Sequence, residues 1–313
     1  MILCVGMMVC DTLLSPVPID IFQRDSADIS VPCNCCGGDA LGTAIGLARL
    51  GRDVSVIGRI SDDINGNFIL RECCRYGVDT TAAVFDREYS TACSYALIDE
   101  QGERHYLSDR RIFDRLCGSD VPDWAIEKAE IIYFGSAMAM RAMDSGGIAD
   151  MFRRAHQHGK MTAMDAAVTQ PDRVADWMEY LAPAFEETDI FFPSMEEAKV
   201  LTGETEPEKI MEYFRKFHMK IFGIKLGAKG CFATDFERSV YIACPEKIKV
   251  ADTSGAGDSF MAGLLCGISC GWDAFTSAEF AVCAASKKVG VVGGTSGIPG
   301  FEEVYDFFKS RKR

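Results

Sequence analysis

The sequence predicts an α/β protein, a mostly parallel sheet with helices on both faces. Three observations carry this. Short apolar runs alternate with amphipathic stretches along most of the 313 residues, the pattern of successive strand–helix units. Hydrophobic residues make up 48% of the chain, enough for a substantial core. The run Asp252-Thr253-Ser254-Gly255-Ala256-Gly257-Asp258 leads directly into an apolar helical pattern (Phe260, Leu264, Leu265, Ile268).

Taken in order, the strand candidates are Leu3–Val9, Val54–Ile57, Ile131–Phe134, Thr162–Met164, Ile190–Phe192 and Ile221–Lys225. Each is a short apolar run. The helical patterns between them are Ala40–Leu50, Phe68–Tyr76, Ile148–His158, Arg173–Leu181 and Lys209–Phe217. In such sheets ligands bind beyond the carboxyl ends of the strands, where Asp11, Asp165 and Ser194 are expected. Two segments break the alternation. Residues about 12–36 hold Pro16, Pro18 and Pro32 with little helical pattern. Residues about 90–108 read as a hairpin turning at Asp99-Glu100-Gln101-Gly102. Together they could form one small sheet over the ligand edge, a lid. The tail Lys309–Arg313 is basic and reads as frayed.

Charge and composition narrow the function. A net charge of −13 argues against nucleic acid or an acidic membrane surface as the main partner, but not against a nucleotide held by local N–H groups and Mg²⁺. No apolar stretch is long enough to span a bilayer. The start, Met1 to Gly6, lacks the basic region and long apolar run of a signal peptide and reads as a strand. Fourteen cysteines without an export signal point to reduced thiols in a cytoplasmic protein. Cys33 and Cys36 form a C-x-x-C, but no second pair completes a zinc set, so buried small hydrophobes are the better reading. The four histidines show no metal or triad spacing.

Four constellations carry chemistry. In the 252–258 run, glycines ahead of a helix N-terminus make an anion site, because free N–H groups and the helix dipole point at the ligand. Asp258, in the first turn, suits a base that takes a proton from a hydroxyl while a phosphoryl group is held nearby. Gly37-Gly38, with Gly42 four residues on, opens a second helix that stops at Gly51; a ligand approach and a plain tight turn fit about equally. Ser194 with Glu197 three residues later makes a capping box, and Glu197 could also reach a Mg²⁺-bound water. Lys225-Leu226-Gly227-Ala228-Lys229-Gly230 is a turn along which a nucleotide could pass, or simply a hairpin with solvated lysines.

In this order the motifs resemble the ribokinase-like, or PfkB, carbohydrate kinases over nearly the whole chain. They are Gly37-Gly38 with Leu47-Ala48-Arg49-Leu50-Gly51, then Ile57 to Gly66, Tyr76-Gly77-Val78-Asp79-Thr80, Pro193 to Ala198, and Asp252 to Asp258. The resemblance implies one kinase domain over residues 1–313, a three-layer α/β/α sandwich with a small β lid. It implies MgATP as donor and transfer of its γ-phosphate to a hydroxymethyl group of a small ribose- or fructose-like carbohydrate. It implies that Asp258 is the general base and that the N–H groups of Gly255, Ala256, Gly257 and Asp258 stabilise the transferred group. Asp11, Gly37, Gly38 and Gly42 would meet the sugar, and Ser194, Lys225, Gly227, Gly255 and Gly257 the nucleotide. Asp252 and Ser254 would belong to a potassium site found in many members, and the lid would make a homodimer.

Two positions depart from the family pattern. Gly42 and Ser194 both stand where asparagine is usual, so the acceptor is less well defined than the reaction. Arg104, Arg110 or Arg111 could reach an acidic acceptor. A nucleoside kinase, or a non-catalytic sugar- or nucleotide-binding member of the same fold, are the alternatives.

Overall fold

A computed structural model describes residues 1–30, 33–168, 170–245, 248–295 and 297–311. Its strands are β1 (Ile2–Val5), β2 (Val9–Leu14), β3 (Cys33–Gly37), β4 (Val54–Ile57), β5 (Arg59–Ser61), β6 (Val84–Asp86), β7 (Cys93–Ile98), β8 (Arg104–Asp109), β9 (Ile131–Ala137), β10 (Met161–Ala166), β11 (Ile190–Phe191), β12 (Ile221–Lys225), β13 (Cys231–Thr234) and β14 (Ser239–Ile242). Eight of them form the main sheet, in the order β14-β13-β12-β11-β10-β9-β1-β4. Pairing is parallel from β4 through β12 and antiparallel only at the β13 and β14 edge.

The two faces of this sheet bury different cores. Ile2, Cys4, Tyr133, Ala163 and Ile190 point to one side, against the helices Asp39–Arg49, Ala256–Ser269 and Ala274–Lys288. Leu3, Val5, Ile132, Phe134 and Phe222 point to the other, against Ile148–Gln157 and Pro207–Phe214. This is the alternation of side chains along a strand, with apolar residues at both parities because both faces are covered. The 256–269 helix is buried on every side from Ser259 to Gly267, as its uniformly apolar sequence requires. Phe185, Phe191, Phe214 and Phe222 fill the opposite layer, Phe214 and Phe222 stacked at 4.6 Å.

A separate four-stranded sheet runs in the order β3-β2-β7-β8. The hairpin turn falls at 99–102, where Asp99 and Glu103 pair and Gly102 takes φ +86°. The predicted strand Leu3–Val9 is corrected by this sheet. The first strand ends at Val5, Gly6 turns the chain at φ +142°, and Val9 already belongs to the small sheet. Asp11 therefore sits within β2, between Cys35 and Ser94, and not at the end of a main-sheet strand.

The predicted helix Arg173–Leu181 is also corrected. Only Trp177–Tyr180 is α-helical, restarted by Asp176, whose side chain accepts from the Glu179 N–H. At the C-terminus, Lys309 to Arg311 form the last turn of the helix Phe301–Arg311 and are not a frayed tail. Pro32, Ser296 and residues 312–313 lie outside the described residues. Among those described, no helix is long and apolar enough to cross a membrane.

Candidate active site

The floor of the site is the start of the 256–269 helix. Gly255 caps it in the left-handed region (φ +73°), a conformation that costs a side-chain-bearing residue about 1–2 kcal/mol. A Cβ there would stand 3.0 Å from the Gly294 carbonyl, so glycine is needed for space as well. A helix start leaves N–H groups unpaired within the helix and able to receive an anion, although that of Ala256 already donates to the Thr253 carbonyl at 3.2 Å. Asp258 follows in the first turn, half-buried.

Two bare glycines make room for two carboxylates. A Cβ on Gly42 would lie 2.1 Å from the Asp258 carboxyl, and one on Gly37 2.1 Å from that of Asp11. The Asp258 side chain thus leans onto the 39–49 helix through the gap that Gly42 leaves. Asp11 leans across β3 in the same way. Asp11 lies close enough to Asp258 for its charge to help raise the Asp258 pKa. Burial raises the Asp11 pKa to about 6, opposed by the Arg110 guanidinium. Burial raises Asp258 to about 7; the charge of Asp165 adds to this, while Lys225 opposes it.

Beneath Asp258 lies a buried ionic cluster. Lys225, at the end of β12, pairs with Asp165, at the end of β10. A Cβ on Gly257 would be 3.7 Å from the Lys225 ammonium, so this cation faces the anion-binding turn directly. Burial lowers the Lys225 pKa, but Asp165, Glu197 and Asp39 outweigh it and leave it above the ordinary lysine range. Burial likewise pushes Asp165 up to about 7. Asp39, first residue of its helix, is driven well above the usual carboxylate range by burial and by Asp258 and Asp165. Its Oδ2 has no hydrogen-bond partner.

The remaining expected residues fall as follows. Ser194 and Glu197 form the capping box: Glu197 Oε2 accepts from the Ser194 N–H at 2.6 Å, and Ser194 Oγ from the Glu197 N–H at 3.3 Å. The Glu197 charge also reaches Lys225 and Asp165. Gly38 caps the 39–49 helix at φ +88°, where a Cβ would stand 2.5 Å from the Met7 carbonyl oxygen. Gly227 is exposed in the turn after β12. Asp252 is buried and takes N–H donations from Ser254 and Gly293, both at 2.9 Å. The Ser254 hydroxyl oxygen accepts from the Arg104 guanidinium at 2.6 Å.

Of the three arginines considered for an acidic acceptor, only Arg110 remains available. Arg111 is paired with Asp109, and Arg104 is committed to Asp252 at 3.0 Å. The register of the small sheet places Asp11, Ser94, Ser108, Tyr106 and Arg104 on one face. Ser94 and Ser108 share a hydrogen bond of 2.8 Å there. Asp39, Asp165 and Lys288 were not singled out from the sequence as site residues. Asp165 had a signal, its place at a strand's carboxyl end; Asp39 and Lys288 had none.

The profile of the pfkB family of carbohydrate kinases matches residues 6–300. This chain belongs to that family. Members are phosphotransferases with an alcohol group as acceptor, and this pfkB chain is therefore a carbohydrate kinase. It is 28% identical to an uncharacterized sugar kinase from Archaeoglobus fulgidus over 82% of this chain and 98% of that one. It is 25% identical to a 5-dehydro-2-deoxygluconokinase from Geobacillus thermodenitrificans, covering 88% and 85%. Its fold is that of a ribokinase. A putative ribokinase II from E. coli superposes with a TM-score of 0.86 ligand-free and 0.82 with ATP and Mg²⁺, at 18% identity and 99% coverage of both chains. A fructokinase double mutant from Vibrio cholerae O395, with fructose, ADP and potassium ion bound, gives 0.81 at 22% identity, covering 98% and 97%. The pfkB assignment agrees with the order of motifs from Gly37 to Asp258.

Proposed function

We propose that this carbohydrate kinase transfers the γ-phosphate of ATP to a hydroxymethyl group of a small sugar held between Asp11 and Asp258. The observation that carries the reading is the pair of carboxylates in mutual range, each seated over a glycine, with the anion-binding turn beside one of them. Asp11, with the Ser94 and Ser108 hydroxyls on its face of the small sheet, supplies donors and acceptors for sugar hydroxyls. Asp258 accepts the proton of the attacking hydroxyl, and its raised pKa suits a base working near neutrality. The N–H groups from Gly255 to Asp258, with the Lys225 ammonium behind them, stabilise the charge that develops on the transferred group.

Mg²⁺ fits the residues present. Asp39, Asp165, Asp258 and Glu197 are oxygen donors with one lysine among them, and the Asp39 Oδ2 is unpartnered. No group of three or more ligating side chains among the described residues forms a protein-only metal site. When bound, Mg²⁺ would neutralise phosphate charge. The small sheet acts as a lid that excludes water. Its opposite face exposes Tyr95 and Leu107, which supports a homodimer through the lid. Sedimentation as a monomer at micromolar concentration would remove that element.

The reaction is tested by an ATP-consumption screen over neutral sugars, sugar acids and nucleosides. Arg110, exposed and facing Asp11, supports including the acids. With the best acceptor, Asp258→Asn is expected to lower kcat by about 10²–10⁴-fold with ATP affinity retained. Near-normal turnover in that variant would exclude Asp258 as the base. Turnover only with nucleosides would assign the acceptor to that class.

A further inference from the structure

The resemblance implies a monovalent-cation site at Asp252 and Ser254, yet the residues around them leave a cation little to do. The Asp252 carboxylate is already met on both oxygens. Oδ1 takes the Ser254 N–H and the Arg104 guanidinium, and Oδ2 takes the Gly293 N–H. The same Arg104 nitrogen reaches the Ser254 hydroxyl at 2.6 Å. A second cation, Lys288, is fully buried at the end of the 274–288 helix and donates to the Val291 carbonyl at 3.3 Å. Its charge acts on Asp252, and its Cε lies 3.6 Å from where a Cβ on Gly255 would stand. Asp252 is the joint of this region: its backbone bonds to Val289, its side chain to Gly293, and the anion-binding turn begins two residues later. Whatever neutralises Asp252 therefore sets the shape of the turn at Gly255.

We propose that the Arg104 guanidinium, backed by Lys288, serves as a built-in replacement for the monovalent cation, so that nucleotide binding here does not depend on potassium. The geometry favours a side chain over an ion. An arginine nitrogen contacts both the carboxylate and the hydroxyl, and Arg104 is the first residue of β8 on the cleft face of the small sheet. A permanently charged guanidinium at hydrogen-bond distance gives Asp252 a strong partner that needs no ligand exchange. The arrangement also joins the small sheet to the turn, which a free ion would not do.

This inference rests on the nucleotide-binding reading of the 252–258 turn, and its test reads nucleotide binding directly, without an acceptor. ADP and ATP affinities of the full chain, with Mg²⁺, are measured by calorimetry in potassium chloride and in choline chloride at equal ionic strength. The wild type is expected to show the same affinity in both, within about twofold. In Arg104→Gln, affinity should fall in choline and be restored at least tenfold by potassium, and the melting temperature should acquire the same dependence. Arg104→Lys, which keeps the charge, should restore most of the independence. A wild type that loses tenfold or more in choline overturns the proposal, whatever the variants do. A folded Arg104→Gln indifferent to potassium also overturns it. Failure of the wild type to bind either nucleotide in both salts would instead overturn the kinase site itself.

Discussion

Asp258 shows how much of the chemistry rests on single side chains. Its raised pKa has two consequences with defined signs. In the proposed role of base it must be ionised, so kcat/KM should climb about tenfold per pH unit below pH 7 and level off above it. A rate independent of pH between 5 and 8 would contradict this. Stability runs the other way. Burial favours the neutral acid, so the folded state gains stability that is complete below the unfolded carboxyl pKa of about 4 and is lost as pH rises through about 7. Asp258→Asn cannot ionise and escapes that loss. Without ligands it should be more stable than wild type at pH 8 by about 1–2 kcal/mol, allowing for partial solvent access, and equal to it near pH 4. Denaturant titrations at the two pH values measure this.

Gly42 is the companion case. A methyl group there would meet the end of a side chain, Asp258 Oδ2, and not backbone. The carboxylate can swing away, so folding is spared while the base is displaced. Gly42→Ala should leave the melting temperature unchanged or raise it, since alanine favours the helix by about 1 kcal/mol. Its kcat should fall by roughly 10²-fold. Equal losses of stability and rate would show that Gly42 serves packing instead. The sequence marked Gly42 as a sugar-facing position that departs from the asparagine usual in the family. That this gap holds the Asp258 carboxylate depends on an approach between residues more than two hundred positions apart.

Among the elements, the helix Met195–Thr202 is held by local chemistry readable from spacing. Ser194 and Glu197 cap it reciprocally, and Gly203 ends it at φ +75°. Ser194→Ala should lower stability by about 1 kcal/mol, seen as a shift of the unfolding midpoint, with a smaller effect on the rate. A rate loss exceeding the stability loss would mean that Ser194 also serves the nucleotide. The strands Val54–Ile57 and Ile221–Lys225 were legible to the residue because each is a short, mostly apolar run, set off by Asp53 and Gly58 in the first and by Lys220 and its own terminal Lys225 in the second. The first strand was not. Residues 3 to 9 are apolar or glycine throughout, and only the turn at Gly6 transfers the chain from one sheet to another. The segment Arg173–Leu181 has helical spacing, but Asp176 offers a cap that starts a new helix within it.

At the scale of the molecule, the site lies between two sheets. The main sheet and its helices supply Asp39, Asp165, Lys225 and Asp258; the small sheet supplies Asp11 and Arg104. Closure should therefore be visible in the small sheet alone. Hydrogen exchange of the backbone amides in β7 and β8 is expected to slow when a sugar and a non-hydrolysable ATP analogue are both bound. Exchange indifferent to both ligands would count against a lid.

The sequence by itself determined the alternating α/β architecture, the separate small sheet, the glycine turn that opens the 256–269 helix and the motif order that marks a carbohydrate kinase. These are local matters: periodicity, glycine before a helix, a cap three residues from its partner. The tertiary structure decided which charges meet. It set Asp39, Asp165 and Asp258 around one lysine, laid Asp258 over Gly42, and turned Arg104 toward Asp252. Charge pairing depends on distance in space, and burial magnifies it, so no spacing along the chain could have announced it.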